Sequence, residues 1–192
     1  GLNTLPDWNE ALKKIVFVLS KDGNSELYTC DRAGGGLKRL TTTRQIESSP
    51  CWSPDGSQIA FTSDREGGHP QIYIMSANGS GVRRVTRQGG WNDAPAWSPK
   101  GDKLAFVSRS AEGTFDIYTC APSGANSTWR RLTMNQGDNE APTWAPDGRH
   151  LAFSSNRSGK WQVYMMLDDG ANQQQLTLLG SNQQPTWGPA VK

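Results

Sequence analysis

The apolar residues of the chain come in short runs, not in helical stripes. Ile15-Val16-Phe17, Ile59-Ala60-Phe61, Leu104-Ala105-Phe106 and Leu151-Ala152-Phe153 each read as a short buried strand. After each run a polar loop leads to Leu27-Tyr28, Ile72-Tyr73, Ile117-Tyr118 or Val163-Tyr164, and a glycine-bearing turn then precedes Leu40-Thr41, Val85-Thr86, Leu132-Thr133 or Leu176-Thr177. Ahead of the runs stands Pro-x-Trp, at Pro6-Asp7-Trp8, Pro50-Cys51-Trp52, Pro95-Ala96-Trp97, Pro142-Thr143-Trp144 and Pro185-Thr186-Trp187, with Trp-to-Trp steps of 44, 45, 47 and 43. The middle three continue as Ser53-Pro54-Asp55-Gly56, Ser98-Pro99-Lys100-Gly101 and Ala145-Pro146-Asp147-Gly148, where Pro presets the turn and Gly relieves its exit. Each unit therefore predicts four short strands in a hairpin meander.

A four-stranded meander of this length cannot bury both of its faces, so it must stack on its neighbours. The expected fold is all-β, a propeller of four-stranded antiparallel blades, because a sandwich does not repeat a Trp at this period. Residues 1–192 form one domain in this reading, with repeats near 6–46, 47–91, 92–138 and 139–180 and a closing strand at 181–191. Residues 184–191 are expected to close a four-bladed ring by completing the blade built from residues 14–41. A swapped or stacked dimer is the alternative closure.

Composition narrows the possibilities. With 34% hydrophobic and 20% charged residues, the 192-residue chain is globular. Its longest apolar run, Ile15 to Leu19, falls far short of the roughly 20 residues of a membrane helix, so a soluble chain without membrane insertion or signal peptide is expected. Lys and Arg nearly balance Asp and Glu, leaving a net charge of +2 that gives no reason to expect a nucleic-acid partner. Three cysteines, Cys30, Cys51 and Cys120, are too few for a disulfide scaffold. Cys30 and Cys120 share a repeat position with Met75 and Met166, which points to apolar filling.

The combination of Pro-x-Trp-Ser-Pro-Asp-Gly, apolar-Ala-Phe, Ile-Tyr and apolar-Thr resembles the WD-like repeat of the TolB-like propeller family, over essentially residues 6 to 190. The resemblance implies a periplasmic or extracellular setting in the bacterial envelope and a role in protein binding. The family repeat is similar to propellers attached to peptidases and polysaccharide lyases as well. Members of the type resemble six-bladed propellers behind a small α/β domain, and this chain departs from that in having four complete repeats.

No Gly-x-Ser-x-Gly elbow, P-loop, dinucleotide fingerprint or zinc spacing occurs, and the two histidines, His69 and His150, fall in different repeats. An enzyme is not expected. The residues four and five before each Trp are Glu47-Ser48, Asn92-Asp93, Asn139-Glu140 and Asn182-Gln183, at the start of the innermost strand. Glu47, Asn92, Asp93, Asn139, Glu140 and Asn182 are expected to converge on a central funnel. Glu47, Asp93 and Glu140 would suit calcium or a basic peptide group there, or else cap strand ends in water. Trp91, Phe115 and Trp161 lie outside the repeat template and are candidate contacts for a protein partner, or covers for a blade edge. The basic pairs Lys38-Arg39, Arg83-Arg84 and Arg130-Arg131 read as edge protection. Glycosylation sequons at Asn78, Asn126 and Asn156 matter only in a secreted eukaryotic protein.

The expected function is a non-enzymatic protein-binding module with a possible homodimer. The alternatives are a propeller domain of a larger peptidase or lyase, and a repeat fragment or engineered assembly without its own ligand.

Overall fold

The computed structural model describes residues 3–125, 128–134 and 136–188. Its strands form four sheets of four, each an antiparallel meander in chain order. The first blade holds β1 (Asn3–Asn9), β2 (Lys14–Leu19), β3 (Glu26–Asp31) and β4 (Lys38–Arg39). The second holds β5 (Glu47–Trp52), β6 (Gln58–Ser63), β7 (Gln71–Ser76) and β8 (Arg83–Arg84). β9 (Asn92–Trp97), β10 (Leu104–Arg109), β11 (Phe115–Cys120) and β12 (Arg130–Arg131) make the third. β13 (Asn139–Trp144), β14 (His150–Ser155), β15 (Gln162–Leu167) and β16 (Gln174–Gln175) make the fourth. The fold is a four-bladed β-propeller arrangement, and no helix among the described residues is long and apolar enough to cross a membrane.

Stacking explains the unbroken apolar runs. β6, β7 and β10 are buried at nearly every position because both of their faces are covered by neighbouring blades. Three cores lie between the blades. Val16, Val18 and Leu27 of the first pack on Trp52, Ile59, Phe61 and Met75 of the second. Ile72 and Val85 of the second meet Leu104 and Phe106 of the third, and Val107, Ile117 and Leu132 of the third meet Trp144, Phe153 and Met166 of the fourth. The periodic Trp is thus the knob that each blade sets into the one before it.

Every inner strand carries a bulge. Register slips between Thr4 and Asp7, Ser48 and Cys51, and Glu140 and Thr143, with the matching slip in β9. At the bulge Leu5, Ser49, Ala94 and Ala141 adopt φ of 52°, 48°, 53° and 51°, each directly before a proline. Proline belongs there because it has no N–H to give the ladder.

Ring closure differs from expectation. β1 already fills the inner position of the first blade, pairing Thr4 with Val18 and Trp8 with Ile15, so no place remains there for residues 184–188. Residues 189–191 of the expected closing strand lie outside the described residues. Among the described strands the blades touch in chain order only, and none of the fourth blade approaches the first. In the first blade Asn9 does the work of the missing Pro-Asp-Gly turn, its Oδ1 accepting the Leu12 N–H at 2.9 Å. Residues 182–187 instead lie along the fourth blade in the manner of a fifth inner strand. Gln184 has the left-handed φ of 54°, and Trp187 Nε1 donates to the Thr143 carbonyl at 3.2 Å, as Trp144 Nε1 donates to Ala96 at 3.1 Å.

Candidate functional site

Successive residues of a strand point to opposite sides, and the paired columns at the start of the inner strands separate accordingly. Glu47, Asn92 and Asn139 are fully buried. The asparagines of this column latch onto the preceding blade. Asn92 Nδ2 donates to Gln71 Oε1 at 2.9 Å, Asn139 Nδ2 to Asp116 Oδ1 at 3.1 Å, and Asn182 Nδ2 to Gln162 Oε1 at 3.1 Å. The same acceptors take the threonine hydroxyls of the apolar-Thr motif, with Thr86 to Gln71 at 2.7 Å, Thr133 to Asp116 at 2.6 Å and Thr177 to Gln162 at 2.6 Å. Each hydroxyl also accepts a backbone N–H, those of Ile72, Ile117 and Val163, at 2.9 Å. The expected funnel roles of Glu47, Asn92, Asn139 and Asn182 are therefore corrected to structural ones.

Glu47 shows why most clearly. Its Oε1 accepts from Thr43, Ser63 and Arg65 Nη2, the last at 3.0 Å. Burial pushes its carboxyl above the usual value, and the Thr43 hydroxyl and Arg65 oppose the rise. A carboxylate engaged in this way cannot join Asp93 and Glu140, and no cluster of three His, Cys, Asp or Glu side chains occurs among the described residues. The three-carboxylate calcium site does not assemble.

The other column does face inward. Asp93 and Glu140 line a concave cavity of about 1080 Å³ walled by the inner strands and residues 184–187. Asp93 Oδ1 accepts from Thr62 Oγ1 at 2.7 Å and from the Ala94 N–H at 2.6 Å. Burial, then the negative charges of Asp138 and Asp93, hold the Glu140 carboxyl above its ordinary value. Asp7 and Glu10 add two further carboxylates to the wall. Burial raises Asp7 against the Trp52 N–H that it accepts at 2.7 Å, whereas hydrogen bonds from Lys13 and Trp8 lower Glu10. Among the described lining residues there is no Lys, Arg or His. The cavity is acidic, aromatic and open.

The off-template aromatics divide. Trp91, 39% exposed, and Phe115 both line the cavity and meet edge to face with ring centroids 6.3 Å apart. Trp161 is half-buried outside the lining, and its carbonyl accepts the Asn182 N–H at 2.8 Å. Trp91 and Phe115 thus stand at the cavity, and Trp161 stands apart from it. The periodic Trp52, Trp97, Trp144 and Trp187, whose spacing reads as core, also line the cavity, as does Trp8. Nothing in the spacing distinguished a side chain that fills a core from one that fills it and still edges a cavity.

The basic pairs act as tethers. Lys38 Nζ donates to the Asn78 carbonyl and Arg83 to that of Pro122, each in the next blade, at 3.0 and 2.8 Å. Arg39, Arg84 and Arg131 turn back to the carbonyls of Thr41, Thr86 and Thr133. The cysteines are free. Burial pushes the Cys120 thiol up to about 12 and those of Cys30 and Cys51 in the same direction, which suits inert filling. Of the sequons, Asn78 is exposed and Asn156 half-buried, while Asn126 lies outside the described residues.

Comparison with known proteins now bears on this architecture. The sequence profile of the TolB beta propeller domain matches residues 1–117 and 88–192. The chain belongs to the TolB beta-propeller family. The Tol-Pal system protein TolB of Desulfosudis oleivorans is 42% identical over 55 residues, 29% of this chain and 13% of that protein. The TolB structure from Acinetobacter baumannii superposes with a TM-score of 0.83 at 28% identity, over 96% of this chain and 45% of its own length. The chain thus spans less than half of that TolB. A puromycin-hydrolyzing peptidase of Mycobacterium tuberculosis, with a TM-score of 0.69 at 21% identity over 93% of this chain and 30% of the peptidase, shares the TolB-type fold alone.

Proposed function

We propose that this chain is a non-enzymatic protein-binding module of the bacterial cell envelope, working in the periplasm, whose concave face takes an extended basic segment of a partner protein. The observation that carries the reading is the cavity wall, where Asp7, Glu10, Asp93 and Glu140 stand among tryptophan rings without a cationic side chain among the described lining residues. Carboxylates steer a cationic segment and discriminate against an acidic one. Rings supply area for the aliphatic stems of Lys or Arg and attract the charge itself. Family membership supports the setting, since a relative bears the name of the Tol-Pal system.

Calorimetry with a short lysine-rich peptide and its glutamate counterpart tests the proposal. Binding of the lysine peptide alone, weakened by salt and reduced about tenfold or more in Asp93→Asn/Glu140→Gln, is the expected result. Equal binding of both peptides, or of neither, overturns it.

A further inference from the structure

In the second, third and fourth blades the turn after Pro-x-Trp exits through a glycine, and at two of the three a side chain from the preceding blade lies against it. Against Gly56 it is Leu12, whose Cγ would stand 2.8 Å from a Cβ built there. Against Gly148 it is Lys100, with its Cε at 3.0 Å from such a Cβ and its Nζ donating to the Gly148 carbonyl at 3.0 Å. Gly101 is the exception, since a Cβ there would meet nothing within 4 Å. The turn position that Lys100 holds in the third blade belongs to Asp55 in the second. Its short side chain folds back within its own turn, Oδ1 accepting from Ser53 Oγ at 2.6 Å and Oδ2 from Ser57 Oγ at 2.8 Å. Hydrogen bonds from Ser53 and Ser57 hold the Asp55 carboxyl below its ordinary value, so it is charged at neutral pH.

A notch of about 350 Å³ is left between the second and third blades, walled by Asp55, Ser57, Gln58, Trp97, Gly101 and Pro122. Lys100 borders it too, with its ammonium committed to the Gly148 carbonyl. Trp97 is half-buried, whereas Trp52 and Trp144 are buried. Ser53, Pro54 and Trp97 also line the concave cavity, so the notch adjoins it. We propose that the notch is a lysine subsite: a lysine of the bound partner segment lays its stem along Trp97 and Pro122 and sets its ammonium between the Asp55 carboxylate and the Gly101 carbonyl. This rests on the reading that the concave face takes a basic segment, and adds which side chain of that segment is selected. The molecule holds its own precedent, because Lys100 fills the neighbouring notch with the same stem and the same donation to a turn glycine.

Calorimetry tests this with a lysine-rich peptide and a second peptide in which diaminobutyrate, equal in charge and two methylenes shorter, replaces every lysine. The parent is expected to prefer the lysine peptide about tenfold, as burial of two further methylenes requires. Asp55→Lys fills the notch from within, and the preference should vanish. The third blade already carries Lys at this turn position, so circular dichroism of the variant should match the parent. Asp55→Asn removes the charge but leaves the notch open, so both peptides should weaken together and the preference remain. Binding of both peptides without a preference, or a preference that survives Asp55→Lys, overturns the subsite and leaves the basic-segment reading standing. A parent that binds neither peptide overturns that reading and the subsite with it.

Discussion

Asn139 and Glu140 are neighbours in β13, yet they serve opposite parts of the molecule. Asn139 is fully buried and holds two blades together, with its amide donating to Asp116 and its Oδ1 accepting from Arg157 Nη2 at 2.7 Å. Glu140 looks into the cavity, with Asp93 as its charged neighbour on the next inner strand. The alternation of a strand makes the separation. One residue of the pair is tied into the architecture and the other faces the cavity, so a substitution at either should leave the surroundings of the other intact.

The largest effect is expected at the latch. Asn139→Ala leaves Asp116 and Arg157 short of a buried partner and should cost about 3 kcal/mol in denaturant unfolding, while lysine-peptide binding by the remaining folded protein is unchanged. Thr86→Val removes the hydroxyl that joins the Ile72 N–H to Gln71, and chemical denaturation should show a loss of about 1–2 kcal/mol. On the cavity side the pattern reverses. Trp91→Ala should weaken peptide binding about tenfold in calorimetry, with a stability change within about 0.5 kcal/mol because the ring is partly exposed.

The smallest effect is a pH dependence. Glu140 has its carboxyl raised in the folded state, so folding favours its protonated form. The stabilising contribution is complete below the ordinary value of 4.5 and is lost as pH rises through the raised one. Glu140→Gln, uncharged throughout, should therefore melt slightly above the parent at neutral pH. Its advantage should fade on acidification towards 4.5, and a melting difference independent of pH would show that Glu140 is not the titrating group.

The blades were legible in the sequence because repetition multiplies weak local signals. One Pro-x-Trp means little, whereas five in step with Ile-Tyr and apolar-Thr specify a stacked meander. The latch was less visible, because its partners are far apart in the chain and vary from blade to blade: Glu26, Gln71, Asp116 and Gln162 put three residue types, amide and carboxylate, at one position. A constant Thr beside that variable column was the available clue. Assigning Glu47 to the funnel failed because two adjacent polar residues were given one direction, and pleating gives them two. Closure was misjudged for a different reason. β1 lacks the turn motif of its counterparts, but the residues that set its pairing, Thr4, Asp7 and Trp8, precede that motif.

Because every inter-blade contact among the described strands joins blades adjacent in the sequence, these blades are close to a one-dimensional array. Such an array can begin to form at any internal boundary and extend outwards, without waiting for its distant ends to meet. Loss of structure should run the other way. Amide hydrogens of the terminal blades should exchange with solvent before those of β6 and β10, and the rate at which exchange spreads inward would measure how strongly each blade holds the next.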